Sequence, residues 1–168
     1  MKRTMTAAGL TLALLLGMVM TVLVGGPATA RAEMSQERAG RYYLASACSA
    51  NAVADRFYRK IWKGRQTIST SEVRRRLPEL KKLSKGFAIS EARFARRMLN
   101  PPAKWPDEVR PIVKRLANKT VIFATRRWKQ AHVATAGRWL YWNGQANKVN
   151  FGRLSARIRA KLDLPAGC

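Results

Sequence analysis

Carboxylates are scarce in this chain, and their scarcity limits the chemistry that it can perform. Only 9 of the 168 residues are Asp or Glu, against 33 Lys and Arg, so the formal net charge is +24. Hydrolysis by an acid/base pair needs two carboxylates that converge on one cleft. Asp107 and Glu108 are adjacent, but they suit the start of a helix, where acidic side chains complement the helix dipole.

Histidine and recognisable catalytic motifs are also scarce. His132 is the only histidine, and a metal site would need further ligands. Neither G-x-S-x-G nor S-x-x-K, two motifs that carry serine nucleophiles, occurs in the chain. Glu91 falls on the apolar face of a predicted helix, where we expect it to pair with an arginine of another helix; a functional carboxylate is the alternative. We therefore predict that the protein is not an enzyme and has no metal or other cofactor.

Only two cysteines are present, Cys48 and Cys168, and the second is the last residue of the chain. The chain has no C-x-x-C motif and no histidine near either cysteine, which disfavours metal binding and redox catalysis. A single disulfide is the simplest interpretation. In the chain-entropy model, so long a loop would stabilise the fold by roughly 5 kcal/mol and would tie the C-terminus back.

The N-terminal residues have the three parts of a secretory signal peptide. Lys2 and Arg3 precede an apolar run over residues 7–24, and residues 28–32 offer two overlapping A-x-A cleavage sites. We predict a signal peptide over residues 1–32, a basic helical domain over residues 33–168, and a secreted or cell-envelope location. An uncleaved membrane anchor is the alternative. Cleavage would remove three basic residues and no acid, lowering the formal charge from +24 to +21.

Helical periodicity dominates the rest of the chain, and no convincing stretch alternates at period two. The longest predicted helix covers residues 69–100, with Ser69 as its cap and a kink near Pro78. Basic residues lie opposite its apolar face, among them Arg93, Arg96 and Arg97. The positions on the predicted apolar face are Val73, Leu77, Leu80, Ser84, Phe87, Glu91, Phe94 and Met98.

Shorter helices are predicted on either side of this long one. The expected fold is an all-α bundle of five or six helices built on one long kinked helix. Ser35 and Asn51 are the expected caps of two separate helices joined at residues 48–51, and Thr135 is the expected cap of a later one. The predicted ranges are 36–47, 52–63, 106 to about 131–133, 136 to a stop at 143–144, and a last helix containing Phe151, Leu154, Ile158 and Leu162.

Several short motifs resemble those of a group of small exported all-helical proteins of high-GC Gram-positive bacteria. They are Tyr43-Leu44 before Cys48, Asn51 after it, Pro101-Pro102 with Trp105-Pro106, Trp142-Asn143, and an ending with Ile158-Arg159-Ala160-Lys161-Leu162, Leu164-Pro165 and Gly167-Cys168. Members of that group often have proline after the first cysteine, where this chain has Ser49, and they are less basic. The resemblance implies a helical fold and export, and it implies no activity.

Three basic clusters indicate the partner: Arg74-Arg75-Arg76, Lys81-Lys82 with Lys85, and Arg126-Arg127 with Lys129. Trp128 lies within the third cluster, although core positions are the favoured interpretation of the tryptophans. We predict a binding protein for polyanions such as wall polymers, anionic lipid or nucleic acid, without specificity. A membrane-active or toxin-like effector acting on anionic bilayers is the alternative, and a small enzyme is a third. The predicted polyanion-binding residues are Arg74, Arg75, Lys81, Lys82, Lys85, Arg126, Arg127 and Lys129.

Overall fold

Six helices make up the regular structure of residues 31–65 and 67–168, the part of the chain described by the computed structural model. The predicted all-α fold is confirmed. Except for Arg31 and Ala32, the predicted signal peptide lies outside the described residues. Within the described ranges, no helix is long and apolar enough to cross a membrane. The helices are α1 Gln36–Trp62, α2 Thr70–Arg75, α3 Leu77–Leu99, α4 Arg110–Ala131, α5 Ala136–Asn147 and α6 Gly152–Lys161.

Helix α1 is one continuous helix, so the prediction of two helices joined at residues 48–51 is wrong. The supposed junction contains neither glycine nor proline, and Ala47 and Ala50 are buried, continuing the packed face of the helix. Asn51 is therefore an exposed helical residue and not a cap. Ser35 caps the helix as predicted, since its Oγ accepts a hydrogen bond from the Arg38 N–H at 3.3 Å.

The long predicted helix is divided at Arg76 into α2 and α3. Pro78 lies in the first turn of α3, where its missing N–H costs nothing, and Arg76 at φ −101° and ψ 10° ends α2. The Arg76 guanidinium bridges the break, donating to Glu72 at 2.9 Å, to Glu79 at 2.9 Å and to the Lys60 carbonyl at 2.7 Å. Ser69 caps α2 as predicted by accepting from the Glu72 N–H. The predicted apolar face is buried except at the half-buried Leu77.

Two predicted helix boundaries change, one because of a local turn and one because of a contact with another helix. Helix α4 begins at Arg110 because Pro106 starts a turn, in which its carbonyl accepts from the N–H groups of both Val109 and Arg110. Helix α5, capped by Thr135 as predicted, does not stop at Asn143. It continues to Asn147 because the Asn143 side chain is held by α4, as described below.

The C-terminal tail is attached to α1 as predicted. Cys48 and Cys168 form a disulfide with their Cα atoms 5.5 Å apart. The buried Arg159 of α6 donates to the carbonyls of Pro165 and Gly167, and its guanidinium lies 5.7 Å from the Tyr43 ring. The tail is therefore held by one covalent bond and one buried arginine.

Buried apolar side chains form two clusters along α3 and α4. The first surrounds Tyr43 and Trp105 near the disulfide-bonded end of the bundle, and it includes residues of α1, α3, α4 and α6. The second surrounds Phe87 and Trp139 and joins α1, α2, α3, α4 and α5. Helices α3 and α4 run antiparallel through both clusters, so their outward faces lie side by side on the surface.

Candidate functional site

The eight residues predicted to bind polyanions differ in their exposure to solvent. Lys81 and Arg126 are half-buried, and Arg126 donates to the Gln145 carbonyl. These two side chains are therefore only partly available to a ligand. The exposed members are Arg74, Arg75, Lys82, Lys85 and Lys129.

Arg127 was predicted to bind polyanions, and this prediction is wrong, because Arg127 is completely buried. Its guanidinium donates to the side-chain oxygens of Gln130 at 2.9 Å, Asn143 at 2.6 Å and Asn147 at 2.7 Å. Within the described residues, no carboxylate lies within 4 Å of it, and its Nε has no hydrogen-bond partner. Amide dipoles therefore replace the water that this cation loses on burial.

Three phenylalanine rings enclose the Arg127 guanidinium. Its carbon lies 4.7 Å from the ring centre of Phe57, 5.0 Å from that of Phe123 and 5.2 Å from that of Phe87. Cations over aromatic faces are attracted by the ring quadrupole, and more strongly when water is excluded. One feature of the sequence favours an inward position for Arg127. It lies four residues after Phe123, so both residues fall on the inward face of α4.

Glu91 lies on the buried face of α3, where the sequence predicted an arginine partner from another helix. The positive charge of Arg127 acts to lower the pKa of Glu91, which is the expected attraction, but this effect is the smaller of two. Within the described residues, Glu91 forms no ion pair within 4 Å. Burial is the larger effect and raises the pKa to about 7. Glu91 therefore exchanges its proton near neutral pH.

The second and third predicted basic clusters meet where α3 packs beside the end of α4. The Lys85 ammonium lies 5.8 Å from the centre of the Trp128 ring, and the Lys129 ammonium lies 4.8 Å from that of Trp142 on α5. Trp128 is 45% exposed. Trp139, in contrast, is buried and donates its Nε1–H to the Ser84 Oγ at 3.2 Å, which is the core position that the sequence favoured.

Few basic residues of the described part are neutralised by carboxylates. Every Asp and Glu of the sequence lies within the described ranges. None of the five exposed polyanion-binding candidates has a carboxylate within 4 Å there. The basic residues in ion pairs are Arg41, Arg65, Arg76, Arg110 and Lys161.

An open groove runs between the outward faces of α3 and α4, with a volume of about 490 Å³. Arg93 and Arg96 line it together with Trp128. The sequence placed both arginines on the basic face of the long helix but gave no reason to select them. Which apolar residues lie beside them depends on how the two helices pack.

The single histidine lies at the end of α4. His132 is exposed, its Nδ1 lies 2.8 Å from the Trp128 carbonyl oxygen, and its ring lies 4.5 Å from that of Trp128. In the described ranges, no group of three or more His, Cys, Asp or Glu side chains is arranged to hold a metal ion.

No protein-family model matches this sequence, and neither a curated protein nor a solved structure matches the chain. The resemblance to small exported helical proteins therefore stays a prediction.

Proposed function

We propose that this protein binds polyanions through the exposed basic residues at the meeting point of α3 and α4. The observation that carries the proposal is the exposure of Lys82, Lys85 and Lys129 without a carboxylate within 4 Å in the described ranges. Surface charge that internal ion pairs do not neutralise attracts anions and releases their counterions on binding.

The proposed binding has no sequence or head-group specificity. Lysine ammonium groups act as point charges on flexible stems, whereas readout of a defined ligand needs fixed donor geometry. The partners that fit are wall polymers, anionic lipid surfaces and nucleic acid. Because these lysines lie on two neighbouring helices, we expect contacts with several anionic groups, each of low individual strength.

The proposal includes export and a secreted or envelope location. A disulfide is typical of exported proteins, and the N-terminal residues have the composition of a signal peptide. Mass spectrometry of the exported protein should find an N-terminus near Arg31 or Glu33. An intact Met1 on the mature protein would contradict the cleavage and favour the anchor.

Salt dependence tests the binding proposal. We expect the logarithm of the affinity for duplex DNA to fall linearly with the logarithm of the salt concentration. The K82Q/K85Q/K129Q variant should make this slope shallower by up to about 3, since each phosphate contact contributes about 0.9. Filter binding or fluorescence anisotropy at four or five salt concentrations measures the slope.

A matched variant separates a local surface from total charge. Lys114, Arg153 and Arg157 are exposed and form no ion pair with a described residue. Their replacement by glutamine removes the same three charges from other parts of the bundle. Equal slopes for the two triple variants would refute the local surface, and binding that ignores salt would refute the polyanion proposal.

Exposed aromatic residues favour the membrane-active alternative. Trp128 is 45% exposed and Tyr141 is 51% exposed, and such side chains are common at membrane interfaces. An effector that disrupts bilayers would release a dye trapped in phosphatidylglycerol vesicles. Binding to those vesicles without leakage would support adsorption, and leakage at the concentration that saturates binding would favour the alternative.

A further inference from the structure

The groove between α3 and α4 combines an apolar floor with a cationic rim. Its volume is about 490 Å³, within the range of roughly 300–1,000 Å³ that small-molecule sites occupy. No other described helix covers it. The lining residues are Ala88, Ile89, Ala92, Arg93, Arg96, Val121, Ala124, Thr125 and Trp128.

Small side chains create the floor of the groove. Ala88 and Ala92 of α3 face Ala124 of α4, and these methyl groups leave the space between the helices unfilled. Larger apolar side chains form the walls but remain open to solvent, since Ile89 is 44% exposed and Val121 is 45% exposed. An apolar ligand would remove this surface from water, which is favourable by about 25 cal/mol for each Å² buried.

Two arginines mark where a charged group would lie. Arg93 and Arg96 are one helical turn apart, both are exposed, and neither forms an ion pair with a described residue. Guanidinium groups match the geometry of a carboxylate, to which they can donate two parallel hydrogen bonds. At the other end of the groove, Lys85 lies over Trp128.

We propose that this groove binds a long-chain fatty carboxylate, with the alkyl chain against the alanine floor and the carboxylate at Arg93 and Arg96. This inference deepens the proposed function and rests on it, because it names one anionic partner for the same face of the molecule. A lining of nine residues is small for a protein partner, which typically contacts about 20–30 residues on each side. It suits a single flexible chain.

Titration calorimetry of the oxidised protein with dodecanoate tests the inference. We expect saturable binding of one dodecanoate per chain, at concentrations below micelle formation. Dodecyltrimethylammonium has the same chain and the opposite charge, and it should not bind. Equal binding of the two would overturn the inference, since the head group would then have no role.

Two independent variants test the two parts of the groove. Replacing both rim arginines in R93Q/R96Q should weaken dodecanoate binding about tenfold or more, since charge-assisted hydrogen bonds are lost. R97Q is the matched control, because Arg97 is exposed on the same helix but does not line the groove. A loss in R97Q equal to that in the double variant would overturn the assignment of the head group.

Filling the groove tests the position of the chain. Ala92 is exposed, so A92L places a larger side chain in the groove without entering the core, and it should reduce dodecanoate binding about tenfold. Ala45 is an exposed helical alanine of α1, and A45L should bind as the unchanged protein does. Unchanged binding in A92L, with thermal unfolding also unchanged, would overturn the inference.

The outcomes separate this inference from the proposed function. The K82Q/K129Q variant should weaken binding to duplex DNA and leave dodecanoate affinity within about twofold, since neither lysine lines the groove. Salt-dependent DNA binding without any dodecanoate binding would overturn the groove site alone. Dodecanoate binding without DNA binding would instead contradict the polyanion proposal. Self-association that A92L abolishes would show that a second copy occupies the groove.

Discussion

The inward and outward faces of α3 and α4 carry charge in opposite ways. On the inward face, Glu91 and Arg127 are buried, and aromatic rings and amide oxygens surround Arg127. On the outward face, Arg93 and Arg96 are exposed beside apolar side chains that are themselves open to solvent. The two faces belong to the same pair of helices. The comparison shows that basic composition alone does not reveal whether a cation stabilises the fold or meets a ligand.

The physical difference between the faces is the replacement of water. Burial removes Arg127 from water, and amide oxygens and aromatic faces replace part of the lost hydration. These groups are fixed in place by the fold. Arg93 is exposed to solvent, so a ligand can reach its guanidinium. The inward cation therefore contributes to stability, and the outward cations are available for binding.

The largest effect that this comparison predicts is for Arg127→Ala. The substitution leaves a cavity and removes the donor from the buried side-chain oxygens of Gln130 and Asn143, so we expect a loss of about 3–5 kcal/mol of unfolding free energy. Urea denaturation followed by circular dichroism measures it. A loss below about 1 kcal/mol would mean that desolvation cancels the value of these contacts, and the distinction between the two faces would fail.

A smaller effect, with a defined pH window, is predicted for Glu91. The native state keeps the Glu91 proton up to its pKa of about 7, whereas the unfolded chain releases it near the ordinary value of 4.5. The contribution of Glu91 to stability should therefore fall as pH rises from about 4.5 to about 7, by about 3 kcal/mol in total, and stay constant above. E91Q should remove this slope and be the more stable protein at pH 8.

Glu79 provides the control for this pH dependence. It is exposed, and the hydrogen bond from Arg76 lowers its pKa, so its stabilising contribution is lost only as pH falls below about 4.5. E79Q should therefore keep the slope between pH 4.5 and 7. Unfolding curves at half-unit pH intervals compare the variants, and a slope retained in E91Q would assign the titration to another group.

The smallest effect on stability is predicted for Lys129→Gln, two residues from Arg127. Lys129 is exposed and its ammonium lies over the face of Trp142, so the unfolding free energy should change by less than about 0.5–1 kcal/mol. The slope of DNA binding against salt should become shallower by about 0.9. A large loss of stability with an unchanged slope would reverse the roles assigned to these two neighbours.

Local signals in the sequence predicted much of the backbone correctly. Ser35, Ser69 and Thr135 cap helices where a side-chain oxygen was expected to accept an N–H, and the long helix breaks at Arg76, near the kink expected at Pro78. The helical spacing predicted the buried face of α3, including the inward position of Glu91. Cysteine number was sufficient for the disulfide because only one pairing was possible.

Two of the errors arose where a distant residue decides the outcome. Asn143-Gly144 has the composition of a helix end, but Arg127 holds the Asn143 side chain, and α5 continues. The groove was also missed. Its lining residues lie on two helices, and the spacing within each helix does not reveal how the two helices pack.

By itself, the sequence determined the helical class, the caps, the inward face of α3 and the single disulfide, because these depend on residues within a turn or two or on a unique pairing. Only the tertiary structure decided that Arg127 is interior and Lys129 is not, and that Arg93 and Arg96 border an apolar groove. The reason is that the environment of a side chain is set by whatever packs against it. Phe57 and Asn143, which enclose Arg127, are far from it in the chain and reach it only when α1, α4 and α5 are assembled.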